Sequence, residues 1–265
     1  MKLIVISDCH VLPSGSLSYG LDTGARLAWA VSDINARHGD AGACLLLGDL
    51  VDDGKPESYE RLRAILSRLS VPLHFALGNH DDRSAFRSVF PDAATDANGF
   101  LQSVIDIPGA RLLVLDSLES GRVSGRLCSR RLAWLDRRLA EKPADDAYIF
   151  LHHHPCAIDM SVDEVMLEDA EELYGLLSAH RNVRHLFSGH THRPCSGLWK
   201  GIPFATLGST HYVTELHHRG TDQAVRRFSQ PGLYSVLSIE PARFLLHSHS
   251  YMPLEPAHLI AGIDR

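Results

Sequence analysis

The sequence predicts an α/β protein, a sandwich of two β-sheets whose outer faces are covered by helices. Over the first two-thirds of the chain, short apolar runs alternate with longer segments in which apolar residues recur every three or four positions. Such alternation is typical of strands that pair in parallel through right-handed crossovers. After Arg193 the pattern changes to strands and turns. We therefore predict a single domain over residues 1–265, in which a strand-rich part, about 195–265, caps the functional site or forms a dimer interface.

The individual elements follow from local patterns. Wholly apolar runs predict buried strands at Leu3–Ser7, Ala43–Leu47, Leu73–Leu77, Ala147–Leu151 and Val183–Phe187. Helical periodicity predicts helices that begin at Asp22 or Thr23 and at Pro56, and two more near Ser129–Ala140 and Glu164–Ala179. A turn at Pro108-Gly109 predicts a hairpin formed by Leu101–Ile107 and Arg111–Leu115. The last predicted strands are Ile202–Leu207, Tyr234–Ile239 and Phe244–His249.

Composition argues against several classes of partner. The formal net charge of -6 provides no basic surplus for a nucleic acid polymer or an anionic membrane. No stretch approaches the roughly 20 apolar residues of a membrane-spanning helix. The five cysteines include no C-x-x-C pair, which disfavours a disulfide framework and a thiolate zinc site. We therefore expect a cytoplasmic protein that binds neither nucleic acid polymers nor membranes.

Five short segments each end an apolar run with side chains that can bind metal ions. They are Ser7-Asp8-Cys9-His10, Gly48-Asp49, Gly78-Asn79-His80-Asp81, His152-His153-His154-Pro155 and Gly189-His190-Thr191-His192. Carboxylate, imidazole and amide oxygen suit borderline or hard divalent ions. In open α/β sheets, ligands bind where the strands end at their carboxyl termini. Together the segments predict one dinuclear metal site, and two ions about 3.5–4 Å apart are typical of enzymes that hydrolyse phosphate esters.

Within these segments, spacing predicts how some side chains act together. If the chain stays extended, Asp8 and His10 point to the same side and can bind one ion, although an Asx turn explains that pair equally simply. His190 and His192 have the same spacing. The Asp49 carboxylate can bridge two ions.

The segment that follows the third predicted strand offers three different groups. Asn79 supplies a neutral carbonyl oxygen, and its amide can donate to a phosphate. His80 can protonate a leaving alkoxide, and Asp81 can orient that imidazole. We therefore predict Asn79, His80 and Asp81 as catalytic residues.

The three adjacent histidines cannot all face one ion from an extended strand. His152 and His154 would share one face of the strand, and His153 would lie on the other. The residues alone do not decide which of the three binds metal.

The combined pattern D-x-H, G-D, G-N-H-[DE], H and G-H-x-H, from Asp8 to His192, resembles the calcineurin-like metallophosphoesterase superfamily. Further features resemble its class III cyclic nucleotide phosphodiesterases and related glycerophosphodiesterases. These features include Tyr19-Gly20, Leu115-Asp116-Ser117, His152-His153-His154-Pro155 and Gly201-Ile202-Pro203. The resemblance covers nearly the whole chain.

This resemblance implies a four-layer αββα fold and assigns metal ligands. The first ion would be held by Asp8, His10, Asp49 and His192. The second would be held by Asp49, Asn79, His153 and His190, with Asp49 bridging. His153 is chosen because the family ligand usually lies two residues before the proline, and His152 and His154 remain neighbours without an assigned role. The ions implied are Fe and Mn, with Zn or Co as alternatives, and the implied assembly is a homodimer.

The same resemblance implies hydrolysis of small phosphodiesters by a metal-bound hydroxide. The expected substrates are 3′,5′- or 2′,3′-cyclic nucleotides, with glycerophosphodiesters as the alternative. A phosphomonoesterase is less favoured because no additional motif indicates one, and a non-catalytic scaffold is disfavoured because Asn79 and His80 are both retained. Tyr19, Phe90 and His211 are candidates for contacting the substrate, and local packing explains each of them equally well.

Overall fold

The computed structural model describes residues 1–220, 224–240 and 243–252. In chain order, the strands are β1 (Lys2–Ile6), β2 (Ala43–Leu47), β3 (Leu73–Ala76), β4 (Ser103–Ile107), β5 (Ala110–Val114), β6 (Asp146–Leu151), β7 (Val183–Ser188), β8 (Cys195–Trp199), β9 (Ile202–Thr206), β10 (Val213–Thr214), β11 (Arg227–Phe228), β12 (Leu233–Glu240) and β13 (Arg243–Ser250). The helices are α1 (Thr23–His38), α2 (Pro56–Leu66), α3 (Arg83–Val89), α4 (Ser129–Glu141) and α5 (Ala170–Ser178), and a 3-10 helix spans Ser161–Val165. In this part of the chain, no helix is long and apolar enough to cross a membrane.

Two mixed sheets form the centre of the molecule. The first has the strand order β13-β12-β1-β2-β3, and the second has the order β4-β5-β6-β7-β9-β8. The strands β1–β2–β3 and β5–β6–β7–β9 pair in parallel, and the remaining strands of each sheet pair antiparallel. The strand-rich part predicted over about 195–265 contributes to both sheets, and its residues 221–223, 241–242 and 253–265 lie outside the described ranges.

Three apolar clusters separate four layers. Leu45 of the first sheet and Phe150 of the second belong to the cluster between the sheets. On the outer side of the first sheet, Leu27 of α1 and Tyr59 of α2 are completely buried. On the outer side of the second, the cluster includes Trp134 of α4. The order helices, sheet, sheet, helices confirms the predicted αββα sandwich.

Several elements differ from the prediction, including the two-residue strands β10 and β11, and three of the differences have a local explanation. The helix predicted near Glu164–Ala179 is divided, since a 3-10 helix precedes α5. The Asp163 carboxylate accepts hydrogen bonds from the backbone N–H groups of Ile158 and Met160, which holds the first part in a turn. Helix α3 was not predicted, because it is only seven residues long. The only local sign of its start is the Asp82 side chain, which accepts a hydrogen bond from Ala85 N–H. Strand β8 was not predicted either. It is mostly exposed and contains a glycine, so it has no apolar run that would identify it.

A half-buried histidine in β7, His185, makes stability depend on pH. The His185 ring stacks on Phe187, with centroids 4.2 Å apart, and burial lowers its pKa to about 4. Because the folded pKa lies below the unfolded value of 6.5, the unfolded chain binds more protons between those two values, and stability falls as pH drops through that window. We expect His185→Phe to remove this component, about 1–2 kcal/mol after allowance for partial exposure.

Urea denaturation at pH 5 and pH 7.5 measures the effect. The free energy of unfolding should fall less between the two pH values in His185→Phe than in the unchanged protein. Comparing the two proteins at both pH values cancels any effect of the substitution that does not depend on pH. An identical pH dependence in both proteins would contradict the prediction.

Candidate metal centre

The five segments predicted to bind metal converge at one edge of the sandwich. Each begins directly after the carboxyl end of a strand, namely β1, β2 and β3 in the first sheet and β6 and β7 in the second. Parallel strands bring these ends together, as the sequence predicted. Hydrogen bonds also join the segments, because Gly189 N–H donates to the His152 carbonyl at 3.0 Å and His190 N–H donates to Asp8 Oδ1 at 3.0 Å.

The backbone at these positions is left-handed rather than extended. Positive φ angles occur at Asp8 (54°), His10 (48°), Asp49 (48°), His190 (69°) and His192 (52°). The extended conformation expected for the two pairs with D-x-H and H-x-H spacing is therefore wrong. Such conformations cost about 1–3 kcal/mol each for residues other than glycine, and they cluster at functional sites where the surrounding structure enforces them.

One group of side chains matches the predicted first metal position. Ligand atoms of Asp8, His10, Asp49 and His192 all lie within 4.8 Å of one another, and all four residues are buried. The two Nε2 atoms of His10 and His192 are 3.1 Å apart. His192 Nε2 lies 3.4 Å from Asp8 Oδ1, and His10 Nε2 lies 3.5 Å from Asp49 Oδ2. Two carboxylates and two imidazoles that converge in this way suit a divalent cation.

A second group lies on the other side of the same Asp49 carboxylate. Three buried atoms here have no hydrogen-bond partner among the described residues: Asn79 Oδ1, His152 Nε2 and His190 Nε2. His152 Nε2 lies 3.3 Å from Asp49 Oδ2, without the alignment of a hydrogen bond. Buried polar atoms are almost always satisfied, so unpartnered ones require an explanation. A second cation would satisfy all three, and Asp49 would then contact both ions.

The three adjacent histidines point in different directions. His153 uses both ring nitrogens, Nδ1 with Ser117 Oγ at 2.8 Å and Nε2 with the Val123 carbonyl at 3.1 Å. His154 Nε2 lies 3.2 Å from the Asp163 carboxylate. His153 remains within 4.8 Å of the ligand atoms of His152 and His190, but its nitrogens are already engaged.

His152 has the geometry expected of a metal ligand. Its Nδ1 lies 2.9 Å from the Leu47 carbonyl, an acceptor that places the ring proton on Nδ1. In the neutral form of the ring, which is the form that binds metal, the lone pair on Nε2 is then directed towards Asp49. The structure therefore favours His152 over the predicted ligand His153.

His80 lies at the opening of the site, with a side chain that is 40% exposed. Its ring meets the His10 ring edge to face at 4.6 Å, and its Nδ1 donates to the Asp52 carbonyl at 2.8 Å. That arrangement leaves Nε2 free to act on a substrate. The Asp52 carboxylate also lies 2.7 Å from His10 Nδ1 and so orients a proposed metal ligand.

Asp81 has a different role from the one predicted. Its carboxylate accepts hydrogen bonds from Gly78 N–H at 2.9 Å, Leu50 N–H at 3.2 Å and Tyr59 Oη–H at 2.8 Å. Asp81 therefore ties together the loops that follow β2 and β3, while Asp52 rather than Asp81 orients His80. A buried carboxylate that accepts several backbone N–H groups is a means of fixing loop geometry.

Burial and charge set the protonation of the site. Burial lowers the pKa of His190 and of His192 well below the ordinary value, which keeps both imidazoles in the neutral form that binds metal. Burial also acts on His152, but the neighbouring Asp49 and Asp8 outweigh it and raise its pKa to about 9. These two carboxylates therefore stabilise positive charge next to Asp49, either on the imidazole itself or on a cation that replaces its proton.

Aromatic rings surround the opening beside the first group. The His211 ring lies 4.9 Å from that of His10, and Tyr19 lies 5.9 Å from His211. Tyr212, which the sequence did not single out, stacks on His192 at 4.1 Å and 19°. Phe90 instead stacks on Phe86 at 4.9 Å, so local packing explains it.

Comparison with known proteins identifies the class to which this fold and site belong. Residues 1–194 match the family described as calcineurin-like phosphoesterase. The chain belongs to that family, which confirms the resemblance that the motifs indicated and implies divalent metal ions at the site.

Individual relatives agree with this assignment. Over 278 residues the chain is 36% identical to a probable cyclic nucleotide phosphodiesterase of Rhodopseudomonas palustris, covering 100% of this chain and 99% of the relative. It is 30% identical to a glycerophosphodiester phosphodiesterase of Enterobacter lignolyticus, covering 83% of this chain and 81% of the relative. A dimetal phosphatase from Danio rerio has the same fold, with a TM-score of 0.71 over 95% of this chain and 96% of that chain at 16% identity.

Proposed function

We propose that this protein is a dinuclear metal-dependent phosphodiesterase that hydrolyses cyclic nucleotides, 3′,5′- or 2′,3′-cyclic AMP or their guanine counterparts. The observation that carries the proposal is the arrangement of buried ligand atoms on both sides of the Asp49 carboxylate, three of them unpartnered. Similarity to relatives named cyclic nucleotide phosphodiesterases supports the choice of substrate.

The residues present fit two divalent ions. Asp8, His10, Asp49 and His192 would hold the first, and Asp49, Asn79, His152 and His190 would hold the second. When bound, such ions lower the pKa of water and neutralise charge on phosphoryl oxygens. Iron with manganese is the proposed pair, and zinc or cobalt is compatible with the same donors.

The remaining chemistry belongs to side chains of the chain itself. The Asn79 amide N–H can donate to a phosphoryl oxygen, while its Oδ1 would help to hold the second ion. His80, held by Asp52 at the opening, can deliver a proton to the leaving alkoxide. In a cyclic diester the leaving oxygen remains attached to the product ribose. Because the ligands are buried, bulk water screens their charges little, which strengthens their electrostatic effect on the reacting phosphate.

One panel of substrates tests the proposal. Metal-stripped protein would be assayed with Mn²⁺ restored, using 3′,5′-cyclic AMP, 3′,5′-cyclic GMP, 2′,3′-cyclic AMP and glycerophosphoethanolamine. We expect turnover of a cyclic nucleotide that depends on Mn²⁺ and falls by about a hundredfold or more in Asn79→Ala. Asn98→Ala, which changes the same residue type in an exposed loop, should keep full activity.

The ranking of substrates separates the candidates. Fastest turnover of glycerophosphoethanolamine would favour the glycerophosphodiesterase alternative, which the Enterobacter relative's name supports. A lack of turnover for every diester while two ions are bound would contradict the phosphodiesterase proposal.

We also propose a homodimer in a reducing cytoplasm. All five cysteines are free thiols, which suits a reducing compartment. The dimer rests on the class III resemblance. A monomeric mass by light scattering at micromolar concentration would contradict it.

A further inference from the structure

A cationic side chain lies across the aromatic rim of the site. Arg227, the first residue of β11, places its guanidinium carbon 4.9 Å from the Tyr19 ring centre and 5.3 Å from that of Tyr212. Tyr212 in turn stacks on the proposed ligand His192. One aromatic ring therefore separates the guanidinium from the first metal position. A side chain at this place is suited to contact the alcohol part of a small diester, which extends outward from the phosphate.

Two of the three side chains that form this rim, Tyr19 and Arg227, are open to solvent. Tyr19 is 67% exposed, and Arg227 is exposed as well. Neighbouring Arg226 pairs with the Glu215 carboxylate through Nε at 2.7 Å. Within the described part of the chain, Arg227 contacts the Tyr19 and Tyr212 rings and hydrogen-bonds the Tyr212 hydroxyl, and it has no carboxylate partner that would neutralise it. Its charge is therefore available to a substrate.

The arrangement disfavours substrates with a cationic alcohol. Two tyrosine rings at this spacing could bind a quaternary ammonium group by cation–π attraction. Here the Arg227 guanidinium occupies that position, and its charge repels choline or ethanolamine. A planar base has the opposite character, because its face can stack on the exposed Tyr19 ring while its polar edge meets the guanidinium.

We propose that Arg227, with Tyr19 and Tyr212, forms a base-recognition subsite that selects guanine nucleotides over adenine nucleotides and over diesters of cationic alcohols. This inference rests on the proposed phosphodiesterase function. Arginine donates two parallel hydrogen bonds to O6 and N7 of guanine, whereas adenine presents an amino donor at the position of O6. Arg227 is thus a specificity-determining residue.

Selectivity ratios test this assignment. For the unchanged protein, Arg227→Met, Arg227→Lys and Arg226→Met, kcat/KM would be measured with 3′,5′-cyclic GMP, 3′,5′-cyclic AMP and glycerophosphocholine. We expect a preference for cyclic GMP over cyclic AMP of about tenfold or more, the discrimination of one bidentate pair. In Arg227→Met that ratio should fall towards one, and the ratio of glycerophosphocholine to cyclic GMP should rise.

The lysine variant separates charge from hydrogen-bond geometry. Arg227→Lys keeps the positive charge but loses the planar pair of donors. It should therefore still discriminate against glycerophosphocholine while losing the preference for guanine. Arg226→Met is the matched control, because Arg226 is engaged by Glu215, and its ratios should equal those of the unchanged protein. Calorimetric binding of 5′-GMP and 5′-AMP gives a second readout without turnover, with the same expected order.

Each contrary result has a distinct meaning. Equal turnover and binding of guanine and adenine nucleotides by the unchanged protein, or ratios that Arg227→Met leaves unaltered, would overturn the base-recognition subsite alone. Absence of diester turnover in all four proteins with metal bound would reject the phosphodiesterase function and this inference with it.

Discussion

Replacement of Asp49 by asparagine is expected to reduce diester turnover by about a thousandfold or more, because one carboxylate contacts both proposed ion positions. Its Oδ2 lies 3.5 Å from His10 Nε2 and 3.3 Å from His152 Nε2. Its Oδ1 accepts a hydrogen bond from His80 N–H at 2.9 Å. Asparagine keeps the shape of the side chain and removes the charge. Loss of activity would therefore report the missing negative charge between the ions.

Metal content gives a readout of Asp49→Asn that does not depend on turnover. Elemental analysis should show about two ions per chain in the unchanged protein and one or fewer in the variant. Stabilisation against heat by added Mn²⁺ should shrink in parallel. The matched control is Asp53→Asn, since the Asp53 carboxylate bonds locally to Lys55 N–H and Ser58 Oγ. A variant that retained two ions and normal turnover would contradict the bridging role of Asp49.

The position of the metal centre could be predicted because fold and chemistry constrain it together. Apolar runs identified the strands, and Asp8, Asp49, Asn79 and His190 each lie within three residues of the end of one of them. When neighbouring strands are parallel, their carboxyl ends lie at the same edge of the sheet, and the conformation of the loops does not change this. The ligand types then indicate hard or borderline cations. No information about distant contacts was needed for this part.

The local backbone could not be predicted in the same way. Left-handed conformations at Asp8 and His10 are unfavourable locally, and they are enforced by backbone hydrogen bonds from Asp8 N–H to the Gly48 carbonyl and from His10 N–H to the Asp49 carbonyl. Those partners lie about forty residues away, as the numbering shows. Residue spacing therefore identified which pairs converge but assigned them the wrong conformation.

Orienting residues were misassigned for a related reason. Asp81 is adjacent to His80 in sequence, which made it the natural candidate to orient the imidazole. In the structure the neighbouring strand end brings Asp52 to both His80 and His10, and Asp81 faces inward towards Tyr59. Sequence proximity is a weak guide to hydrogen-bond partners where several loops meet. The same limit explains why Tyr212 and Arg227, which lie next to or within two-residue strands and outside any apolar run, were not singled out.

The histidine run gives the sharpest test of what the structure adds to the sequence. The spacing to Pro155 pointed to His153, whereas a carbonyl from the other sheet, that of Leu47, orients His152 towards Asp49. We expect His152→Ala to lose one of two ions and about a hundredfold or more in kcat/KM. His153→Ala should retain both ions, and its kcat/KM should fall by about tenfold or less. This is the lower end of the loss expected when a residue that supports a metal ligand, rather than binding the metal, is removed.

The two variants are matched controls for each other. Both imidazoles are completely buried, so each substitution removes the same packing, and the difference between them reports metal binding. Elemental analysis and thermal denaturation with and without Mn²⁺ would be measured on both proteins. If His153→Ala instead lost the second ion while His152→Ala kept it, the family spacing would be the better guide. The Ser117 and Val123 contacts of His153 would then have to break when metal binds.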